Sequence, residues 1–195
     1  MSQAIKRFHP FKPFLRAAIR EGRKTQTRRI GKPRYKVGDI VVLPEPLVCD
    51  VNVGVRVATY QDDDAFVMEY DSPDDLQGKV VPWRWQRNVL PSIHMPTMYG
   101  RTFLTVTDVR SQQLQDISME DAVAEGIEQV THPLGLPNVW KHYGSKADKR
   151  TFWLNPRMSF MTLWHSINTE RGYAWDSNPT VVAYTWRRTN ETLLD

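Results

Sequence analysis

A chain of 195 residues is long enough to bury one substantial core and only marginally long enough for two small ones, so one domain is expected. Its longest apolar runs fall far short of the ~20 residues of a membrane span and no charged-then-apolar leader opens it, which predicts a soluble, cytoplasmic protein with no membrane partner. One cysteine, Cys49, supplies neither an internal disulfide nor a Cys-rich zinc site, and His9, His94, His132, His142 and His165 show no metal-ligand spacing, so no metal and no cofactor is expected.

The net charge of +4 conceals a stronger asymmetry. Met1 to Lys36 holds twelve Lys or Arg against one acid, Glu21, a balance of +11; the remainder holds fourteen against twenty-one, a balance of −7. A positive field concentrated at one end implies a phosphate-bearing partner, with a solvated basic face as the alternative. Seven each of Trp, Tyr and Phe supply packing without staples, and some of these rings are candidate platforms for stacked bases.

In chain order, Met1 to Pro13 reads as a loosely ordered arm. Phe14 to Glu21 is expected to be a helix, with Leu15, Ala18 and Ile19 at helical spacing and Gly22 just past its end. Lys24 to Ile30 reads as turn into strand, Ile40 to Leu43 as a strand and Val51 to Tyr60 as another. The acid-rich stretch Asp62, Asp63, Asp64, Glu69, Asp71, Asp74 and Asp75 reads as a surface insertion without ordered ligand spacing. Trp83, Trp85 and the run Pro91 to Pro96 read as a linker.

Thr102 to Val109 is the clearest strand, alternating Phe103, Thr105 and Thr107 with Leu104, Val106 and Asp108. Ser118 to Glu125 is a short helix capped by Ser118 with Asp121 and closed by Gly126. His132 to Arg150 is polar and reads as a second insertion. Asn155 followed by Pro156 starts a helix running to about Asn168, with Phe160, Leu163, Trp164 and Ile167 as its apolar stripe. Thr180 to Arg187 is the last strand. Strands dominate, the helices are few and short, and no βαβ rhythm appears, which points to a mixed α+β barrel.

The segment Glu21-Gly22-Arg23-Lys24-Thr25-Gln26-Thr27-Arg28-Arg29, followed by Val37-Gly38-Asp39 ahead of a strand, resembles the signature of ASCH domains. The resemblance continues at Thr105 to Val109, at Ala124-Glu125-Gly126-Ile127 and through the C-terminal helix and strand, about half of the chain. It implies a PUA-like β-barrel with a few short flanking helices, here a single domain of residues 1–195 with insertions at about 60–100 and 129–154, as in long forms that look like phage and prophage proteins. It also implies a positively charged cleft of the kind that takes nucleotides and RNA.

One branch of that family removes the acetyl group from N4-acetylcytidine with a Lys and a Thr of this motif and a Glu on the following helix, which fall here on Lys24, Thr27 and Glu125. Amide hydrolysis needs a nucleophile, a base and an acid for the departing amine, the roles of Thr27, Lys24 and Glu125 in that order. Lys24 acts as a base only when neutral, and like charge from Arg23, Arg28 and Arg29 together with burial lowers its pKa. Side chains three apart meet on a helical turn and point oppositely on a strand, so the pair requires a turn, which Gly22 permits. At a helix C-terminus the dipole disfavours the Glu125 carboxylate, which suits a proton donor.

Arg23, Arg28 and Arg29 are candidates for ribose or phosphate oxygens, since a planar guanidinium meets them as a fork. His94 is a candidate to line the cleft or a satisfied structural histidine. Glu120, Asp121 and Glu128 are alternatives to Glu125. An amidohydrolase on N4-acylated cytosine nucleosides leads; a non-catalytic RNA-binding module and a metal-independent ribonuclease are the rivals.

Overall fold

The computed structural model describes residues 5–52, 55–70, 87–132, 134–144 and 152–189. Its strands are β1 (Lys6–Arg7), β2 (Gln26–Ile30), β3 (Ile40–Val42), β4 (Leu47–Asn52), β5 (Val55–Tyr60), β6 (Phe66–Tyr70), β7 (Val89–Leu90), β8 (Phe103–Gln113), β9 (Gln129–Val130), β10 (Val139–Lys141), β11 (Phe152–Trp153) and β12 (Thr180–Arg188). Its α-helices are α1 (Pro13–Arg20), α2 (Met119–Ala124) and α3 (Pro156–Asn168). The fold is mixed α+β, with strands dominant and helices few and short, as the patterning predicts. No helix among the described residues is long and apolar enough to cross a membrane.

The chain divides into two compact units. Unit 1 is Met1–Arg16, Asp39–Thr105 and Arg188–Asp195; unit 2 is Ala17–Gly38 and Val106–Arg187. In unit 1, β1 runs parallel to β3 (Lys6↔Val41) and β3 runs antiparallel to the start of β8 (Val41↔Leu104). A second sheet, in the order β6-β5-β4-β7, packs Leu47, Ala58, Tyr60 and Leu90 with Val42 and Met95 into one apolar cluster. Gly100 is glycine for space: a Cβ there would stand 2.0 Å from Val42 Cγ2.

Four expectations are corrected in this unit. The N-terminal arm is anchored: β1 joins a sheet, and Phe8 and Phe11 are buried. The stretch taken as one strand from Val51 to Tyr60 is a hairpin whose first arm starts at Leu47 and pairs with Tyr60. The acidic stretch is not all surface, because Asp62 forms a buried bidentate pair with Arg16 (2.7 and 2.6 Å). The linker contributes core, since Leu90 and Met95 are buried. Asp71, Asp74, Asp75, Trp83 and Trp85 lie outside the described residues.

In unit 2, β2 pairs antiparallel with β12 in the register Thr27↔Tyr184. The second expected insertion carries structure of its own, a three-stranded sheet in the order β11-β10-β9; residues 145–151 of that stretch are outside the described set. α3 starts at Asn155, whose Oδ1 accepts from Arg157 N–H at 2.9 Å, and buries Phe160, Leu163 and Trp164. Ile167 is only half-buried.

Candidate functional site

Lys24 sits in the connection from α1 to β2. Gly22 takes φ +77° just past the helix, a left-handed backbone that favours glycine. Lys24 N–H then donates to Ala18 C=O at 3.0 Å, and Trp186 N–H donates to Thr25 C=O at 3.0 Å. The strand begins only at Gln26, so Lys24 escapes the alternation that would have opposed it to Thr27.

Glu125 caps the C-terminus of α2, which starts where Ser118 Oγ accepts from Asp121 N–H at 3.0 Å. Gly126 follows at φ +81°, and a Cβ there would lie 2.6 Å from Lys24 Cβ. Glycine is therefore demanded twice, by backbone conformation and by the approach of the lysine.

These two elements bring Lys24 and Glu125 together. The lysine is 2% exposed, and its Nζ donates to Glu125 Oε2 (2.8 Å), Glu125 C=O (2.7 Å) and Gln26 C=O (2.8 Å). An ammonium has three donors, and three oxygens meet them. Burial pushes the Lys24 pKa below its ordinary 10.5, Glu125 opposes the shift through charge and hydrogen bond, and Arg29 and Arg28 assist it by like charge. The Trp186 ring centroid lies 5.9 Å from Nζ.

Arg28 grips the other side of Glu125. Its side chain is 0% exposed, and Nη1 donates to Glu125 Oε1 (3.1 Å) and Gln26 Oε1 (2.6 Å) while Nη2 donates to Asp121 Oδ2 (2.6 Å). Asp121 also accepts from Gln26 Nε2 (3.0 Å) and Arg110 Nη2 (2.5 Å). Its pKa lies below the ordinary 3.8: burial raises it, but the bonds from Gln26, Arg28 and Arg110 outweigh that. Arg28 thus orients Glu125 and points inward.

Thr27 is 4% exposed, and its hydroxyl makes no hydrogen bond among the described residues. The carbonyl that accepts from Lys24 Nζ belongs to the peptide leading into Thr27. Strand alternation places Thr27 and Arg29 with Val182, Tyr184 and Trp186 on one face, and Gln26 and Arg28 with Ala183 and Thr185 on the other. Burial pulls the Arg29 pKa down to about 10; Glu125, Tyr35 and Tyr184 oppose, and Arg171 adds like charge. Tyr35 meets Tyr184 edge-on at 5.3 Å.

The remaining candidates fall elsewhere. Arg23 is exposed, with Nη2 at 2.5 Å from Glu21. His94 ends a 3-10 turn, Ser92–His94, in unit 1 and is exposed. Of the alternatives to Glu125, Glu120 is exposed and Glu128 pairs with Lys141 at 2.8 Å. Gln26, Arg171 and the aromatic set Tyr35, Tyr184 and Trp186 were not singled out from the sequence. The alternation of Tyr184 with Trp186 put those two on one face, but only the register with β2 shows which residues they accompany. No group of three or more His, Cys, Asp or Glu among the described residues is placed to hold a metal ion.

The chain is thus a mixed α+β protein with a buried Lys–Glu pair, and the Thr27 hydroxyl on β2 makes no hydrogen bond among the described residues. Comparison with protein-family models, curated proteins and solved structures found no match.

Proposed function

We propose that this chain is an amidohydrolase acting on N4-acetylcytidine or a related N4-acylated cytosine nucleoside, on a PUA-like barrel of the ASCH type. The resemblance at Glu21 to Arg29 motivates the substrate. The observation that carries the reading is the 2.8 Å contact between Lys24 Nζ and Glu125 Oε2, made by a buried lysine with a lowered proton affinity.

In the resting pair the proton sits on Lys24. Moving it to Glu125 leaves a neutral amine and a carboxylic acid, the base and acid that amide cleavage requires. The amine takes the Thr27 hydroxyl proton as Oγ1 attacks the acyl carbonyl, and the carbonyl π-electrons move to oxygen. As that oxyanion collapses the C–N bond breaks, and N4 of the departing cytosine takes the Glu125 proton. Lys24 is again charged and Glu125 again anionic. A second transfer within the pair lets Lys24 deprotonate a water that attacks the acyl-threonine, and Glu125 returns the proton to Thr27 Oγ1. Arg29, on the face of Thr27, is the candidate for the developing oxyanion or the ribose.

Saturation of all three Lys24 donors favours a second reading, in which the pair is structural and the chain is a non-catalytic nucleotide- or RNA-binding module. Chelator-treated protein incubated with N4-acetylcytidine separates the two, the absorbance shift reporting cytidine. Turnover that disappears in Lys24→Ala, Thr27→Ala and Glu125→Ala supports the amidohydrolase. No turnover by the wild type, with other N4-acyl groups also inert, removes it and favours binding, or RNA cleavage if oligonucleotides are shortened.

A further inference from the structure

Two faces of α3, in unit 2, meet different surroundings. Phe160, Leu163 and Trp164 on one face are buried in the core, and the Arg28 guanidinium carbon lies 6.0 Å from the Phe160 ring centroid. Met161, Thr162, His165 and Ser166 recur at helical spacing on the opposite face. There they line a cavity of about 670 Å³ together with His142 and Trp153, a volume within the range of small-molecule sites. The wall facing α3 is built by β10 and β11, in the stretch that the sequence reads as an insertion. The cavity shares no residue with the Lys24–Glu125 pair.

Its walls are tied together. Ser159 Oγ donates to Lys141 C=O at 2.7 Å, and Tyr143 N–H donates to Thr162 Oγ1 at 3.1 Å, which fastens α3 to β10 and the residues after it. His142 meets Trp153 with ring centroids 5.7 Å apart and planes at 45°, so two rings line one side.

Most polar groups of the lining have partners. The Thr162 hydroxyl donates to Ser159 C=O (2.8 Å) and the Ser166 hydroxyl to Leu163 C=O (2.8 Å). Tyr143 Oη accepts from Glu128 N–H (2.8 Å), and His142 Nδ1 accepts from Gly144 N–H (3.2 Å). His165 differs: its Nε2 is buried and has no hydrogen-bond partner among the described residues. A buried polar atom left unmet is costly, and a ligand that bonds it recovers that cost.

Charge narrows the class of ligand. Among the described residues no Asp, Glu, Lys or Arg lines the cavity, and Glu128, whose N–H meets Tyr143, is paired with Lys141 at 2.8 Å. A ligand ammonium would find no carboxylate there, and a multiply charged phosphate would find no lysine or arginine. An imidazole offers an N–H to a single carboxylate and becomes a cation on taking up a proton. The Trp153 indole and the Met161 thioether suit a flat, apolar body.

We infer that this cavity binds an aromatic monocarboxylic acid, its ring against Trp153 and its carboxylate on His165 Nε2. The site is separate from the amidohydrolase reading, and its test needs no turnover.

The full chain is titrated in a calorimeter with 2-naphthoate, with the neutral 2-naphthalenemethanol and with the saturated decahydro-2-naphthoate. Naphthoate is expected to bind at least about tenfold more tightly than the alcohol, because a bond to a charged group is lost. It is expected to bind at least about threefold more tightly than the saturated acid, because ring contact is lost. His165→Phe keeps a ring and removes the nitrogen, so acid and alcohol should then bind within about twofold of each other. His165→Gln returns a hydrogen-bonding group and should restore at least about a threefold preference for the acid. Trp153→Leu should abolish the preference for the aromatic acid over the saturated one.

His94→Phe makes the same exchange at an exposed position of unit 1 and is expected to leave every affinity within about twofold of wild type. Wild type that binds neither naphthoate nor benzoate overturns the site. Equal binding of acid and alcohol, or an acid preference that survives in His165→Phe, overturns the carboxylate on His165. Equal losses in His94→Phe and His165→Phe overturn the location. Displacement of naphthoate by an equal concentration of N4-acetylcytidine gives the cavity to the nucleoside and overturns a separate site.

Discussion

In unit 1, Arg101 forks onto both oxygens of the fully buried Glu45 (3.0 and 2.8 Å), reaches Asp63 at 2.9 Å and lies 3.8 Å over the Tyr60 ring. In unit 2, Lys24 and Arg28 share Glu125, and Arg28 and Arg110 share Asp121. The ingredients are alike and the outcomes differ. The Arg101 pKa is raised above its ordinary value, because hydrogen bonds to Glu45 and Asp63 outweigh the cost of burial. The Lys24 pKa is lowered, because burial outweighs Glu125 and neighbouring arginines add repulsion. Two carboxylates around one cation make a clamp. Two cations around one carboxylate leave a lysine that yields its proton more readily, the property a proton-transfer group needs.

The largest expected effects test whether the clamp and the pair are distinct in function as well as in charge. Glu125→Ala strands the buried Lys24 and is expected to cost about 3–5 kcal/mol in urea unfolding, whereas Glu45→Ala leaves the partly exposed Arg101 with Asp63 and is expected to cost less. The volume-conserving versions separate them. Glu125→Gln is expected to lower amide turnover by at least about 10²-fold, whereas Glu45→Gln is expected to stay within about twofold of wild type. Equal losses would erase the contrast.

Gly126→Ala and Gly22→Ala sharpen it next. Both positions have φ near +80° (+81° and +77°), but a Cβ at Gly126 meets Lys24 at 2.6 Å and one at Gly22 meets nothing within 4 Å. The dihedral costs each about 1–2 kcal/mol, and the clash adds roughly 1–3 kcal/mol at Gly126 alone. Urea midpoints read the difference, and only Gly126→Ala should disturb turnover.

The pH dependence has opposite signs at the two kinds of group. With its folded pKa lowered, Lys24 is protonated more readily in the unfolded chain than in the folded one between the folded value and 10.5. Its stability cost is therefore full below the folded value and fades as pH rises towards 10.5. Turnover should fall along the same alkaline limb, because the pair then loses the one proton that Glu125 delivers to N4, and a limb unmoved in a Lys24→Arg variant that retains activity would remove the lysine from the rate. Asp121 has its folded pKa below 3.8, so its contribution is present above that value and lost as pH falls through the folded one. Urea unfolding between pH 5 and pH 2 checks it, and Asp121→Asn should flatten that acid limb.

The smallest effect belongs to Tyr60 in the clamp. Its hydroxyl donates to Tyr99 C=O at 2.5 Å, and burial raises its pKa to about 12. Tyr60→Phe is expected to cost about 1 kcal/mol. It should also delete one step, near 12, of an alkaline tyrosinate titration followed in the ultraviolet.

Much of unit 2 was legible because its signals are local. The Ser118 cap, the Asn155-Pro156 start and the glycines after α1 and α2 each act within a few residues of their own position, and all four appear in the fold. The candidate residues Lys24 and Glu125 were legible only through the resemblance, and their contact only through space. Unit 1 was read less well. Val51 to Tyr60 was read as one strand, whereas β4 ends at Asn52 and β5 begins at Val55, and the partner of β5 begins four residues earlier at Leu47. Asp62 looked like surface because a run of acids usually is, and only its pairing with Arg16, 46 residues away, permits burial.

From the sequence alone follow the α+β class, the boundaries of the three helices and the longest strands to within a few residues, and the basic character of the first 36 residues. Dihedral preference and side-chain period are properties of short segments, and charge is a property of composition. Tertiary structure decided that Glu125 meets Lys24 across 101 positions, that Arg28 turns inward on Asp121, and that Thr27 faces the Tyr184 side of the sheet. Desolvation and Coulomb attraction depend on distance through space, and distance through space is set by strand register and helix placement rather than by separation along the chain.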